Sequence, residues 1–185
     1  MKIFGIGLSR TGSLSLQHYM RESGYNSVHY FVKETLQEII EFCKPYDFIN
    51  DAPVSIYFEE LSQAFPGSKF INTTRNLNSW LKSCACHFAH DQHNQAALKY
   101  RGLLYGCKKY NKANFTAAFY RHKRKVSKFS KNNNVLTLRL ELEAQRKIGL
   151  LKDFLGNDDL SPHYPHVNDL ADRTLRQVTR RDKRN

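Results

Sequence analysis

Arg10 stands among two glycines and three hydroxyl side chains in the run Gly7-Leu8-Ser9-Arg10-Thr11-Gly12-Ser13. That mixture is chemistry for holding an oxyanion. A guanidinium offers a planar fork of donors, hydroxyls add single donors, and glycines let backbone N–H groups approach closely. Ile3, Phe4 and Ile6 ahead of the run read as a short buried strand, while Leu14, Leu16, Tyr19 and Met20 behind it share a helical face that Gly24 ends. A strand entering a helix through such a turn gathers the N–H groups of the helix N-terminus, at Ser13 and Leu14, around one place where anions bind. The bland alternative is a strand-to-helix turn in some other α/β protein.

Two further stretches carry residues of the right kind. Thr74-Arg75 closes an apolar run, and Ser83 follows Arg75 by eight positions, two turns into a helix that Asn76 or Asn78 could cap. Trp80, Leu81 and Cys84 would pack inward, leaving Ser79 and Ser83 toward a ligand. Asp51-Ala52-Pro53 follows another short apolar run; Asp51 is either a general base or a residue that caps the next helix or shapes a turn with Pro53.

The elements that must position these residues form an alternation. Strands are expected near residues 2–6, 25–29, 47–50, 69–74 and 135–140, with helices over 13–23, 33–43, 54–64 and 143–155 and from about Asn76 onward. The fold class is therefore α/β: three layers, α/β/α, with a central parallel sheet like that of P-loop NTPases. Ligands of such sheets sit at the carboxyl ends of the strands. Residues 7–13, 50–53 and 73–75 are the stretches expected at that edge.

With 185 residues the chain suits one domain, expected over 1–168, followed at 169–185 by a basic helix or tail. No apolar run reaches the roughly 18 residues of a membrane span, and the strand at the very start leaves no room for a signal peptide. Cys43, Cys84, Cys86 and Cys107 lack the spacing of a disulfide framework, so a cytoplasmic protein with free thiols is expected. Twenty-nine Lys and Arg against 17 Asp and Glu give a formal charge of +12, concentrated late, at Lys108-Lys109, from Arg121 to Lys125 and from Arg173 to Arg184. Some partner is anionic: a phosphorylated nucleotide, a nucleic acid or an anionic surface. Aromatic residues between the basic ones over 100–129 could stack on bases. Cys86, His87, His90 and His93 could share a helical face, but no second cluster completes a four-ligand metal pattern.

The opening run has the Gly-x-x-x-x-Gly spacing of a P-loop yet lacks the Lys after the second glycine, which disfavours an ATP-using kinase. With its cation ahead of that glycine, the stretch from Gly7 to Leu16 resembles the 5′-phosphosulfate loop of sulfotransferases that use 3′-phosphoadenosine 5′-phosphosulfate (PAPS). Arg75 and Ser83 resemble the 3′-phosphate element of that family. Asp51, two residues before a proline, resembles the position of the catalytic base, which is His in cytosolic members and a carboxylate in other branches. Residues 152–156 and 162–168 also look like the closing segment of bacterial and fungal members, so the resemblance covers nearly the whole chain.

The resemblance implies transfer of a sulfuryl group from PAPS to a hydroxyl or amine of a small-molecule or glycan acceptor, leaving adenosine 3′,5′-bisphosphate and using no metal. Ser9, Arg10, Thr11, Gly12, Ser13 and Leu14 would hold the 5′-phosphosulfate, with Arg10 stabilising charge on the bridging oxygen. Arg75 and Ser83 would hold the 3′-phosphate, and Asp51 would take the acceptor proton. Arg10 departs from the Lys of many relatives, and Ser13 from their Thr. A late Arg-Lys-Gly element has only Arg173, Arg176 and Arg180 as candidates. The alternatives are a P-loop nucleotide or small-molecule kinase and a basic nucleic-acid-binding module, the latter not favoured. Acceptor identity and oligomeric state stay open.

Overall fold

The computed structural model describes residues 1–89 and 94–166. Its centre is a five-stranded, all-parallel sheet built from β1 (Ile3–Gly5), β2 (Ser27–His29), β3 (Phe48–Asn50), β4 (Lys69–Thr74) and β5 (Val135–Arg139), in the order β2-β3-β1-β4-β5. Parallel pairing demands crossovers, and helices supply them. These are α1 (Ser13–Glu22), α2 (Leu36–Cys43), α3 (Val54–Ala64) and α4 (Leu77–His87), then α5 (Gln95–Tyr105), α6 (Lys112–Phe129) and, after β5, α7 (Ala144–Leu155).

Strand alternation decides which helix covers which face. Ile3, Phe48, Ile71 and Leu138 point to one side and are buried with Leu16 and Met20 of α1 and Ile148 and Leu151 of α7. Phe4, Ile49 and Phe70 point to the other, where Ile39 of α2, Phe58 and Leu61 of α3, and Val126 and Phe129 of α6 meet them. The expected three-layer α/β/α arrangement follows from these two faces. A third apolar cluster, beyond the sheet edge, joins Leu8 to Trp80 and Cys84 of α4, Tyr105 of α5 and Phe115 of α6.

Local signals set the boundaries. The Thr35 hydroxyl accepts from the Glu38 N–H at 3.2 Å while the Glu38 carboxylate takes the Thr35 N–H at 3.1 Å, so α2 begins at Leu36 rather than at the expected residue 33. Asn76, Asn94 and Asn111 cap α4, α5 and α6 in turn. Gly106, left-handed at φ 72°, divides the basic aromatic stretch into two helices. Its aromatics mostly turn inward: Tyr105 and Phe115 stack at 4.2 Å and both are buried, as is Tyr100. Tyr120, by contrast, is exposed.

One buried charge was not legible in the sequence. The Lys147 ammonium, on the inner face of α7, donates to the Leu140 carbonyl at 2.6 Å and lies 5.2 Å from the centre of the Tyr164 ring. It fixes the turn after β5, whose Leu140 side chain reaches the loop after β1. Among the described residues no helix is long and apolar enough to cross a membrane. The expected tail at 169–185, with Arg173, Arg176 and Arg180, lies outside the described residues.

Candidate functional site

All five strands end on one edge, and their ends line a single cavity of about 930 Å³. Ser9, Arg10 and Gly12 come from the loop after β1, Ser13 and Leu14 from the start of α1, His29 and Tyr30 from the end of β2, and Asp51 from the end of β3. Arg75, Ser79, Lys82 and Ser83 come from β4 and α4, and Leu140 follows β5. Such a volume lies near the top of the range for small-molecule sites, with room for a nucleotide and a second ligand.

The loop after β1 lies close to its neighbours. A Cβ on Gly7 would run into the backbone and hydroxyl of Thr73 on the adjacent strand, so only glycine lets β1 leave the sheet here. Gly12, at φ 98°, is the N-cap of α1, and a Cβ there would meet the Leu140 side chain at 2.8 Å. Arg10 itself is left-handed at φ 70°, a conformation uncommon outside glycine and one that shapes the loop around its side chain. The Thr11 hydroxyl turns inward, donating to the Leu8 carbonyl at 2.5 Å and pairing with Thr73 Oγ1 at 2.7 Å. Of the expected loop residues, Thr11 therefore offers a ligand only its backbone.

Two arginines converge across the loop and α4. Arg10 Nε donates to Ser83 Oγ at 3.2 Å, while Arg75 Nε donates to Ser79 Oγ at 3.1 Å and its Nη1 to the Arg10 carbonyl at 3.2 Å. Trp80, wholly buried, donates from its indole to the Ser9 carbonyl at 2.9 Å and fastens α4 against the loop. Arg10, Arg75 and Ser83, far apart in sequence, are thus brought together with the N-terminus of α1. Two guanidinium groups and several hydroxyls around one cavity form a site for a ligand with more than one anionic group.

Asp51 occupies the other side of the loop and is 5% exposed. Its Oδ1 accepts from Ser9 Oγ and from the Ala52 N–H, both at 2.8 Å, and its Oδ2 accepts from Ser13 Oγ at 3.0 Å and faces His29 Nε2 at 3.2 Å. Burial alone would push this carboxyl up, but the hydrogen bond and charge of His29, then Ser9 and the Ala52 N–H, outweigh it and hold the group at about 2. Near neutral pH it is a carboxylate surrounded by donors. His29, partly exposed on the cavity wall, is the functional candidate that sequence reasoning missed. The signal was present: β2 was expected over 25–29, and its carboxyl end had to reach the same edge as the other strands.

Beyond Asp51 the cavity wall becomes apolar and aromatic, with Tyr30, Phe88, Tyr100, Leu104 and Tyr105, and Arg101 stacked 4.6 Å above the Phe88 ring. Of the residues weighed for metal, Cys86 and His87 are exposed, while His90 and His93 lie outside the described residues. Among the described residues no group of three or more His, Cys, Asp or Glu could hold a metal ion.

Comparison with known proteins bears on the fold and the family. The chain aligns in structure with a sulfotransferase of Alicyclobacillus acidocaldarius at a TM-score of 0.58, covering 96% of this chain and 90% of that one at 13% identity, which establishes a shared fold. It is 30% identical to the Ava biosynthesis cluster protein M of Aspergillus versicolor over 45% of its own length, and the match spans 41% of that relative. A family model described as a sulfotransferase domain matches residues 32–173, a stretch that holds Asp51, Arg75 and Ser83 and begins just after His29. With that match spanning most of its length, the chain belongs to the sulfotransferase family.

Proposed function

We propose that the protein transfers a sulfuryl group from PAPS to a hydroxyl or amine of a small-molecule or glycan acceptor, releasing adenosine 3′,5′-bisphosphate. The observation that carries this reading is the convergence of Arg10 and Arg75 with Ser83 beside the N-terminus of α1. The donor has two anionic ends, and the site has two guanidinium groups, that of Arg75 donating to the Arg10 backbone carbonyl and that of Arg10 to Ser83. PAPS supplies an activated sulfuryl group; the chain's residues bind and orient it.

Arg10, with the N–H groups of Gly12, Ser13 and Leu14, would hold the 5′-phosphosulfate, and Arg10 would stabilise charge developing on the bridging oxygen. Fixed donors aimed at developing charge are usually the largest single contribution to catalysis. Arg75, with Ser79 and Ser83 at its side, would hold the 3′-phosphate. The acceptor would lie toward Tyr30 and Tyr100, with its hydroxyl near the Asp51 and His29 end of the cavity.

Thermal unfolding with adenosine 3′,5′-bisphosphate, with AMP and with ATP plus Mg²⁺ tests the donor. At a hundredfold excess over its dissociation constant a specific ligand adds about 2.7 kcal/mol, or about 5–10 °C for a chain of this size. A shift of that order for the bisphosphate alone supports the reading. A larger shift with ATP favours a kinase, and no shift with any of the three removes the nucleotide site.

A further inference from the structure

Asp51 holds His29 by one ring nitrogen, and the chemistry of the surrounding atoms decides which nitrogen carries the proton. Asp51 Oδ2 lies 3.2 Å from His29 Nε2, and as an ionised carboxylate it can only accept. Ser13 Oγ also lies 3.2 Å from Nε2, and its own hydrogen is directed to Asp51 Oδ2 at 3.0 Å, leaving its oxygen as an acceptor too. Two acceptors around Nε2 require an N–H there. Neutral His29 is therefore the Nε2–H tautomer, and Nδ1 keeps its lone pair. Among the described residues Nδ1 takes no protein hydrogen bond, and the side chain, 22% exposed, lines the cavity.

Asp51 is poorly placed for the same work. Both its oxygens are occupied by four donors, its side chain is 7% exposed, and an incoming hydroxyl would have to displace one of those donors. A carboxylate that orients a histidine and stabilises its charged form while the histidine exchanges protons with the substrate is a recurrent division of labour. From this geometry we infer that His29, not Asp51, is the catalytic base, and that Asp51 is the positioning residue that fixes its tautomer. The assignment rests on the donor reading above.

In the step, the acceptor oxygen bonds to sulfur as the bond between sulfur and the bridging 5′-phosphate oxygen breaks. The acceptor proton moves to His29 Nδ1, and the bridging electron pair leaves on the bisphosphate, where Arg10 stabilises it. The imidazolium then returns the proton to solvent. Titratable and charged groups that line the cavity with His29 are Asp51 at the end of β3, Tyr30 next in the chain, Arg10 in the loop, Arg75 after β4, Lys82, Cys86 and His87 on α4, Tyr100, Arg101 and Tyr105 on α5, and His166.

The first test needs no donor. Long-range ¹⁵N–¹H correlations of the histidine rings, with His29 assigned by its loss in His29→Asn, should show the Nε2–H tautomer in the wild type and a change of tautomer or protonation in Asp51→Asn. An Nδ1–H tautomer in the wild type overturns the inference. The second test measures bisphosphate release from PAPS with water as acceptor, which needs a base, and with 4-nitrophenol at about pH 8, where the phenol is already ionised and needs none. His29→Asn should bind the bisphosphate within about threefold of wild type, lose about a hundredfold with water and less than about tenfold with nitrophenolate. Undiminished turnover with water, or equal losses with both acceptors, overturns the assignment. If the wild type does not bind the bisphosphate, the donor reading fails and the catalytic role with it, while the tautomer experiment still decides the His29–Asp51 pair.

Discussion

The Trp80 indole N–H donates to the Ser9 carbonyl at 2.9 Å, joining α4 to the loop after β1 across 71 residues of chain. Trp80 is wholly buried and packs on Phe119 and Phe115 with ring centres 5.2 and 5.8 Å away, so its indole has little freedom to follow a moving loop. The loop is held by a rigid aromatic cluster, and Arg10 and Ser83 are thereby fixed on facing walls. Trp80→Phe removes the bond and some volume without introducing a polar group, and should cost about 2 kcal/mol of stability in urea unfolding. The bisphosphate affinity should fall with it. Unchanged stability and affinity would mean that the loop holds its shape without α4.

Arg75, at the junction of β4 and α4, has a double position, between Ser79 on the helix that follows it and the Arg10 carbonyl on the loop. Arg75→Ala should weaken the bisphosphate by about a hundredfold, as loss of a charge-assisted bond to phosphate and of the support for Arg10. Arg75→Lys should recover little, because one ammonium cannot reach Ser79, the loop carbonyl and a phosphate together. Calorimetric titration decides this: an affinity within threefold of wild type in Arg75→Ala would place the 3′-phosphate elsewhere.

The elements that carry this site were legible because they rest on short-range rules. Gly7 and Gly12 mark the turn, the Asn76 cap starts α4, and the 3.6-residue period separates Ser79 and Ser83 from Trp80 and Cys84. His29 and Lys147 were not legible, for a common reason. Each is a polar residue whose partner lies outside its own element, Asp51 at the end of the neighbouring strand for His29 and Leu140, seven residues earlier at the turn before α7, for Lys147. Periodicity says which face a residue takes, not which charge waits there. Thr11 shows the converse, since its hydroxyl type suggested a ligand contact while pairing with Thr73 turned it into the protein.

Asp51 gives a stability prediction with a definite sign. Its carboxyl is held at about 2 in the folded chain, below the ordinary value of 3.8, so the stability it contributes is present above about pH 4 and lost as pH falls toward 2. The loss over that window is about 2 kcal/mol at full effect. Asp51→Asn has no such titration. The difference in unfolding free energy between wild type and variant should therefore shrink as the pH is lowered from about 5 to about 3. A constant difference would show that the carboxylate is not held by its four donors.

The cysteines offer a way to watch the cavity without a substrate. Burial pushes the Cys43 and Cys84 thiols up to about 12, which for Cys84 the charges of Arg10 and Arg75 only partly oppose. Neither forms the reactive thiolate near neutral pH. Cys86 is exposed and lines the cavity two residues further along α4, whereas Cys107 is half-buried and lies off the cavity wall. Iodoacetamide should therefore label Cys86 first, as peptide mass analysis would show. Adenosine 3′,5′-bisphosphate should slow labelling at Cys86 and leave Cys107 unaffected, because a nucleotide on Arg75 and Ser83 covers the next turn of the same helix. Equal slowing at both thiols would indicate general tightening of the fold, and slowing at neither would place the nucleotide away from α4.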